Sequence, residues 1–342
     1  MRTFRIAWRR SDTRSNHDAY DTRTEDDRRN ESGGGAVVVS DPAVALGVKV
    51  FSRTEKLETL LESVPGDHYE TVYVADDGRT EERSHLYERA WPFALEVIDL
   101  PYDAGLGVGR NAIVDALSEE YLTIVDSDHE VPPNADVLVR QLEARPEFGG
   151  ISGLLLEHGT IQGLCHDLSE DGDVLVRETG SKTAAIVAGY PLVAFDFVPN
   201  VATFRRACLE EQGWDERYVI GREHLDFFVA HRATDWRFGT CPAVLFPHRP
   251  GGGGEYDSNR LDPAKLLASK SYFREKWGYD QVVAREFWLG NQSVDKPLAV
   301  LDGSVPIPTW LGAKLMDVRD ARLRFEAATA GVSDRLPVVS PR

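Results

Sequence analysis

The strongest constraint on the fold is a regular alternation of short apolar segments with helical ones between residues 44 and 126. Four of these segments are rich in β-branched and other apolar residues, as strands are: 44–51, 71–75, 95–98 and 121–125. Between the first two, Leu57, Leu60 and Leu61 fall on one face of a helix, with Thr54 as its expected N-cap. Strands joined by helices in this way form a mainly parallel sheet covered on both faces, so the sequence predicts an α/β fold.

The pattern changes after about residue 149. From 149 to 205 the chain predicts short strands of a mixed sheet, and from 206 to 248 a helix, a second helix and a strand. We therefore expect one domain from 41 to 280. Residues 281–342 are only weakly patterned and are assigned to a C-terminal extension.

The first 40 residues differ from the rest of the chain. They are polar and rich in Arg and Asp, and an apolar strand follows them. Their polar composition predicts a disordered arm over 1–40. Within the arm, residues 1–10 alternate apolar side chains with arginines. That alternation leaves open a peripheral contact with the inner face of a membrane.

The net charge of −17 over 342 residues limits both partners and environment. Phosphate backbones would be repelled, so no nucleic acid partner is expected. Lys is scarce while Arg is common. An acidic surface of this kind stays hydrated in molar salt, so we predict a halophilic, haloarchaeal source, with an ordinary acidic enzyme as the alternative.

The cysteines and the hydropathy pattern favour a cytoplasmic protein. Cys165, Cys208 and Cys241 share no metal or disulfide spacing and are expected to be buried as small apolar residues. The sequence has no apolar run of about eighteen residues, which a membrane span needs. Its first residues also lack the apolar centre of a secretory signal, from which we expect a reduced, cytoplasmic compartment.

Two acidic motifs follow predicted strands. Asp126 and Asp128 stand two apart at the end of strand 121–125, where hard carboxylate oxygens suit Mg²⁺ or Mn²⁺, although an acidic turn has the same composition. Asp76 and Asp77 end strand 71–75 and precede Gly78. A carboxylate there can accept from a nucleobase N–H or from ribose hydroxyls, and the alternative is a plain turn.

A glycine-rich segment, 105–111, contains Arg110 and is expected to be a loop that leads into a helix over 111–117. Glycines allow backbone to approach a phosphate, and Arg110 supplies a charged fork. The same residues can be aligned with a dinucleotide fingerprint as Gly107-x-Gly109-x-x-Ala112, with Asp126 as the ribose-binding acid. An oxidoreductase is therefore the alternative enzyme class.

Two further features lie in the second half of the domain. Glu223 and Asp226 stand three apart on one face at the start of a helix, where either can serve as a general base or simply complement the helix dipole. His248 follows the strand-like run 244–246 and precedes a run of glycines. It is a candidate metal ligand, and a structural histidine is the alternative.

The order of these motifs resembles the inverting GT-A glycosyltransferases of the family 2 type over roughly residues 44–280. The segments that carry the resemblance are Lys49-Val50-Phe51-Ser52-Arg53, Asp76-Asp77-Gly78, Gly107-Val108-Gly109-Arg110-Asn111, Asp126-Ser127-Asp128, Gly213-Trp214-Asp215-Glu216, Glu223-His224-Leu225-Asp226 and Tyr272-Phe273-Arg274-Glu275-Lys276-Trp277. The form of the last two is similar to the β-1,4-N-acetylgalactosaminyltransferase branch. His224 stands where many relatives have Asp, which leaves the identity of the base open between Glu223 and Asp226.

The resemblance implies a GT-A fold, with a Rossmann-like nucleotide-binding half and a mixed-sheet acceptor half. It implies inverting transfer of a sugar from a nucleotide diphosphate, best a UDP-sugar, to a hydroxyl of a glycan or lipid-linked acceptor, assisted by Mn²⁺ or Mg²⁺. The residues to which it assigns nucleotide binding are Phe51, Arg53, Asp77, Arg110 and Asp126. The implied metal ligands are Asp126, Asp128 and His248. A non-catalytic nucleotide-sugar-binding relative is a further alternative.

The charge predicts the response to salt. Lowering the salt from molar to about 0.1 M should lower the melting temperature, because repulsion among the surplus carboxylates is then less screened. Circular dichroism melting curves over this range measure the effect. An unchanged curve would refute the halophilic assignment.

Overall fold

The computed structural model describes five stretches of the chain: 42–179, 181–284, 286–288, 304–306 and 308–333. The predicted arm at 1–40 lies outside the described residues, and so does the membrane contact predicted for 1–10.

The first half alternates strands and helices, as the sequence predicts. Its elements are β1 (Val44–Val50), α1 (Thr54–Ser63), β2 (Thr71–Asp76), a 3-10 turn (Thr80–Arg83), α2 (Ser84–Tyr87), β3 (Ala94–Asp99), α3 (Leu106–Ala116), β4 (Tyr121–Asp126) and α4 (Asp136–Ala144). Strands β1 to β4 are parallel to their neighbours in the order β3-β2-β1-β4. Their carboxyl ends therefore lie on one edge of the sheet.

The second half adds mostly short strands and the remaining helices. They are β5 (Phe148–Glu157), β6 (Thr160–Gln162), β7 (Asp167–Asp171), β8 (Val174–Glu178), β9 (Ala185–Val187), β10 (Tyr190–Phe195), β11 (Ala202–Arg205), α5 (Arg206–Glu211), α6 (Glu223–His231), β12 (Arg237–Pro247), α7 (Gly254–Arg260), α8 (Pro263–Trp277), β13 (Gln281–Ala284), β14 (Glu286–Trp288), β15 (Ser304–Pro306) and α9 (Thr309–Ser333).

One sheet of ten strands joins the two halves. Its order continues from β4 through β11, β5, β12 and β10 to β9, with β6 paired to β5. Strand β11 is antiparallel to both β4 and β5, whereas β12 runs parallel to β5. The expected α/β class, with a parallel first half and a mixed second half as in the GT-A fold, is confirmed.

The glycine-rich segment is not a loop, and this part of the prediction was wrong. Helix α3 already begins at Leu106, so Gly107 and Gly109 lie inside it. A Cβ on Gly107 would stand 2.9 Å from the Asp215 carbonyl oxygen, and one on Gly109 would stand 2.5 Å from Cγ of Lys49. The glycines are therefore explained by close helix packing, which also removes the basis of the dinucleotide fingerprint.

The start of α1 also differs from the prediction. Thr54 is the first helical residue, and the N-cap is Arg53, whose φ of 70° places it in the left-handed region without a side-chain cap. Since that conformation costs about 1 kcal/mol or more in a residue with a Cβ, its contacts must hold Arg53 in place. Those contacts lie in the site described below.

The boundary expected at residue 280 does not coincide with a break in packing. Strand β13 pairs in parallel with β8 from Gln281↔Val174 to Ala284↔Arg177, in a three-stranded sheet with β7. Helix α9 packs against α8, β13 and β8. Strand β13 and helix α9 are thus part of the same packed unit as the residues before 280. No helix among the described residues is long and apolar enough to cross a membrane.

The packing of α3 generates a prediction. Gly→Ala inside a helix normally stabilises by about 1 kcal/mol, but Gly107→Ala should destabilise by about 1–3 kcal/mol, because its Cβ meets backbone that has no free space. Chemical denaturation measures the change. Asp115→Ala, at an exposed position of the same helix, is the control and should be neutral or stabilising. A stabilised Gly107→Ala variant would contradict the observed packing.

Candidate functional site

Four segments meet at the carboxyl edge of the parallel strands. Residues 51–53 follow β1, residues 76–77 end β2, residues 126–129 follow β4, and His248 directly follows β12. Such an edge is where open α/β sheets bind ligands. The structure thus brings together the predicted nucleotide and metal residues from three parallel strands and one distant strand.

Backbone pairing brings His248 to the Asp126–Asp128 turn. His129 and His248 form an isolated antiparallel bridge, and the Arg249 N–H donates to the Asp128 carbonyl at 2.9 Å. Nε2 of His248 lies 3.5 Å from Oδ2 of Asp128. On the other side of the ring, Nδ1 of His248 is 3.0 Å from Oε2 of Glu157. A carboxylate at Nδ1 favours the tautomer that leaves Nε2 free to bind a cation.

Asp128 carries a negative charge in this environment. Burial opposes ionisation, but the contact with His248 and the charge of Arg53 outweigh it and lower the pKa of Asp128. The same contact with Asp128 raises the pKa of His248, and Glu157 adds to this effect. The Arg53 guanidinium donates to Oδ2 of Asp128 at 2.7 Å and to Ser127 Oγ at 2.8 Å. These bonds hold Arg53 in its left-handed conformation.

Asp128, His129 and His248 form a group whose candidate ligand atoms all lie within 4.8 Å of one another. The donor set fits Mn²⁺, which accepts both carboxylate and imidazole. However, Nδ1 of His129 accepts from the Asp126 backbone N–H at 3.0 Å, so the proton of the neutral ring is on Nε2. That Nε2 is buried without a partner among the described residues. His129 is therefore a hydrogen-bond donor toward the site, and Asp128 and His248 are the ligands that the geometry favours.

Asp126 is paired with Arg110. Its Oδ1 accepts from Nη2 of Arg110 at 3.1 Å, and the Arg110 guanidinium lies 5.4 Å from the ring centre of Trp214. Burial alone would raise the pKa of Asp126, but Arg110 and then His129 outweigh burial and lower it. The role of Asp126 as a direct metal ligand stays a prediction, since Arg110 holds one oxygen of its carboxylate and Asp126 lies outside the group of candidate ligands.

Glu223 lies near the same guanidinium. It is the first residue of α6, is 8% exposed, and has its Oε2 buried without a hydrogen-bond partner among the described residues. Burial raises the pKa of Glu223, and the positive charge of Arg110 only partly offsets this. A buried carboxylate with a free oxygen can accept a proton from a bound hydroxyl.

Asp226 is held by hydrogen bonds from three other side chains. Its carboxylate accepts from Tyr218 Oη at 3.0 Å, from Trp277 Nε1 at 2.6 Å and from Lys276 Nζ at 2.8 Å. Lys276 also donates to Asp215 at 2.7 Å. Asp226 is 1% exposed, and both of its oxygens are hydrogen-bonded within the protein. It joins α6 to α8, an arrangement that favours a structural role, and its role as a base stays a prediction.

Asp77 is fully buried, and both of its carboxylate oxygens are engaged. Oδ1 lies 2.6 Å from the Lys49 ammonium, and Oδ2 accepts from the Gly105 N–H at 3.0 Å. Asp76 is equally buried and accepts from the guanidinium of Arg83 at 2.7 Å. A nucleotide contact by Asp77 requires it to give up one of these bonds, and its predicted role stays a prediction.

An aromatic pair lies beside these carboxylates. The ring of Phe51 is 5.2 Å from that of Tyr102, which is 55% exposed. On the opposite side of the turn, the Arg53 guanidinium is 3.9 Å from the ring centre of Tyr256 in α7. The predicted nucleotide residues Phe51 and Arg53 therefore border an open, partly apolar surface.

Sequence reasoning missed three residues of this site. Glu157 orients His248 from 91 positions away, and no local pattern connects them. Lys49 neutralises Asp77 but lies inside an apolar strand, where a lone Lys predicts nothing. His129 follows Asp128 directly, and its adjacency to the acidic pair was a signal that could have found it.

The comparisons with known proteins agree with this geometry. Residues 49–153 match the family model described as Glycosyl transferase family 2. The matched segment contains the last two residues of β1 and all of β2 to β4, and therefore the residues at three of the four converging strand ends. It covers less than half of the chain.

Two curated relatives extend the match beyond that segment. Beta-1,4 N-acetylgalactosaminyltransferase 2 of Mus musculus is 25% identical over 246 residues, which is 70% of this chain and 44% of the mouse protein. Beta-1,4 N-acetylgalactosaminyltransferase 1 of Homo sapiens is 27% identical over 215 residues, 60% of this chain and 38% of the human protein. The chain thus spans less than half the length of either relative. Among solved structures, S. aureus TarS 1–349 in complex with UDP-GlcNAc is 15% identical with a TM-score of 0.47, covering 68% of this chain and 66% of that chain.

The site generates a prediction for cation binding. Asp128→Asn and His248→Ala should each weaken Mn²⁺ binding by at least about tenfold, because each removes a preferred ligand. His248→Ala should also reduce the preference for Mn²⁺ over Mg²⁺, since imidazole is the softer donor. Titration calorimetry with both ions on folded protein measures these effects.

The control for this prediction is Asp136→Asn, which removes a carboxylate from the first turn of α4. It should leave Mn²⁺ affinity unchanged. Equal Mn²⁺ affinity in all three variants and the original chain would show that Asp128 and His248 hold no cation.

Proposed function

We propose that the chain is an inverting glycosyltransferase that moves a sugar from a nucleotide diphosphate, best a UDP-sugar, to an acceptor hydroxyl. The observation that carries the proposal is the unpartnered Glu223 carboxylate, buried beside the Arg110–Asp126 pair, at the sheet edge that also holds Asp128 and His248. A proton acceptor and a cation-binding pair are the two groups that such a displacement needs. The family 2 match and the names of the two relatives support the same reaction class.

Asp128 and His248 would hold Mn²⁺ or Mg²⁺, which when bound offsets the negative charge of the departing diphosphate. Beside them, His129 offers an Nε2–H, and the Arg110 guanidinium is the nearest fixed positive charge to Asp126. Both donors can accept part of the charge that develops on leaving oxygens. This gives Arg110 an electrostatic role at a distance, in place of a direct contact from an exposed loop.

The nucleotide would bind over the strand ends of β1 and β2. The half-buried ring of Phe51 and the exposed ring of Tyr102 provide an apolar surface for a base. Asp77 lies below that surface and can accept from a base N–H if it exchanges its bond with Lys49. Arg53 lies between Asp128 and Tyr256, where it can meet a phosphate.

Glu223 is our choice of base. Its raised pKa makes it a stronger proton acceptor than an ordinary carboxylate, provided that the pH is above that pKa. The acceptor hydroxyl would lose its proton to Oε2 as its oxygen attacks the anomeric carbon, and the nucleotide diphosphate would leave from the opposite face.

The remaining predictions concern the setting of the reaction. A glycan or lipid-linked acceptor, a cytoplasmic location at the inner face of a membrane and a salt-adapted source remain proposals. A non-catalytic nucleotide-sugar-binding protein is the competing function. Release of nucleotide diphosphate from the donor separates the two, because a binding protein releases none.

The base assignment predicts a specific kinetic result. Glu223→Gln should lower kcat by about 10²–10⁴, the usual contribution of general base catalysis, with little change in nucleotide-sugar affinity. In the original enzyme, kcat should fall as the pH is lowered through the raised pKa of Glu223, because the protonated carboxyl cannot accept a proton. The Glu223→Gln variant should lack this acid limb.

Asp226→Asn is the matched comparison, three residues along the same helix. Because it weakens three buried hydrogen bonds, it should lower the melting temperature. The variant that remains folded at low temperature should keep the acid limb of the pH profile. A normal kcat for Glu223→Gln, or loss of the acid limb in Asp226→Asn, would overturn the assignment.

A further inference from the structure

A second cavity, of about 230 Å³, lies among the last elements of the chain. It is enclosed by the residue before α6, by α8, by β13 and by α9, and its lining includes Arg222, Lys270, Phe273 and Asp320. None of the residues that we place in the proposed reaction lines it. The cavity is therefore separate from the sheet-edge site.

Positive charge is concentrated around this cavity. Arg222 and Lys270 line it, and Arg177 of β8 and Arg319 of α9 are close enough for their charges to act on Arg222. The carboxylate of Asp320 is paired with Lys270. In a chain with a net charge of −17, such a cluster is the opposite of what the composition leads one to expect.

Two of these guanidiniums have no carboxylate partner within the part of the chain that the structure describes. Arg177 forms no ion pair there, and its Nε is buried without a hydrogen-bond partner. Arg222 forms no ion pair there either: its guanidinium lies 5.5 Å from the ring centre of Phe273, and Asp320, whose charge also acts on it, is paired with Lys270. Burying a guanidinium is costly unless an anion or acceptor compensates it.

Neighbouring arginines act on both side chains. Burial, together with the charges of Arg177 and Arg319, lowers the pKa of Arg222 to about 10. Burial and Arg319 lower the pKa of Arg177 in the same way.

The backbone of Arg222 is also strained. Its φ of 73° lies in the left-handed region that residues with a Cβ rarely adopt. Backbone strain at a charged residue is a sign of a functional position.

We propose that this cavity is a binding site for a phosphate group, held by Arg222 and Lys270 in its wall, with the charge of Arg177 close beside Arg222. A phosphate has several acceptor oxygens and up to two negative charges, which suits a cluster of several cationic side chains better than a single carboxylate does. Its charge would relieve the repulsion between the arginines. The proposal does not depend on the glycosyltransferase activity, because it concerns a different cavity.

Inorganic phosphate is the first probe. Its addition to the full chain should raise the melting temperature relative to KCl at the same ionic strength, because phosphate binds the folded state only. Titration calorimetry should show that Arg177→Gln and Arg222→Gln each lose at least about tenfold in phosphate affinity. Arg140→Gln, at an exposed ion pair in α4, should bind phosphate like the original chain.

A measurement without phosphate tests the argument from charge. If the cluster is an anion-binding site, Arg177→Gln should be at least as stable as the original chain in KCl. The substitution removes repulsion between arginine side chains and breaks no ion pair. A large loss of stability would show that Arg177 is a structural residue and would overturn the proposal. So would equal effects of phosphate and chloride on the original chain.

The source of the phosphate group is distinguished by two further arms. A soluble phosphomonoester such as glycerol 3-phosphate should bind if the ligand is a free metabolite or a soluble group. If the site binds a lipid headgroup, the protein should sediment with phosphatidylglycerol vesicles but not with phosphatidylcholine vesicles. The Arg222→Gln variant should then fail to sediment with phosphatidylglycerol vesicles. Failure of both arms together with inorganic phosphate would leave no phosphate site. Donor turnover, followed in parallel, reports on the proposed activity separately.

Discussion

The site depends on one buried guanidinium. Arg110 is 2% exposed, yet it lies between Asp126 at the end of β4 and the start of α6, where its charge acts on Glu223. Its neighbour Asn111 bonds to both the backbone N–H and the carbonyl of Trp214. The two consecutive residues therefore join the parallel half of the sheet to the segment that precedes α6. This junction places the Arg110 guanidinium between the carboxylates of Asp126 and Glu223.

The first half of the fold could be predicted because its signals are local. The strand-like runs match β1 to β4 within one or two residues, and periodicity alone places α1. The glycines of α3 led to the wrong prediction of a loop, because glycine is common in loops. In the structure, Gly107 lies in the helix and packs closely against the Asp215 backbone. Strand β13 was missed because four residues, Gln281–Ala284, carry too little pattern to be distinguished from a loop.

The candidate site was predictable in its residue types but not in its pairings. Asp128 and His248 were found from their positions after strands, and the fold brings them to 3.5 Å. The choice between Glu223 and Asp226 could not be made from spacing, because both lie in the first turn of one helix. The two carboxylates differ in their hydrogen bonds to α8. Trp277 and Lys276 donate to Asp226, whereas Oε2 of Glu223 has no hydrogen-bond partner among the described residues. That difference arises from residues about 50 positions later.

The parallel pairing of β13 with β8 also bears on how the protein can be handled. A fragment that ends at residue 280 would keep the sheet-edge site but would leave β8 as an edge strand on that side, without the packing of α9 against it. Unpaired strand edges of this type recruit other chains. Such a fragment would also expose the Asp226–Lys276 network to fraying at the end of α8. Aggregation, rather than loss of the nucleotide surface, would then limit the yield of a shortened enzyme.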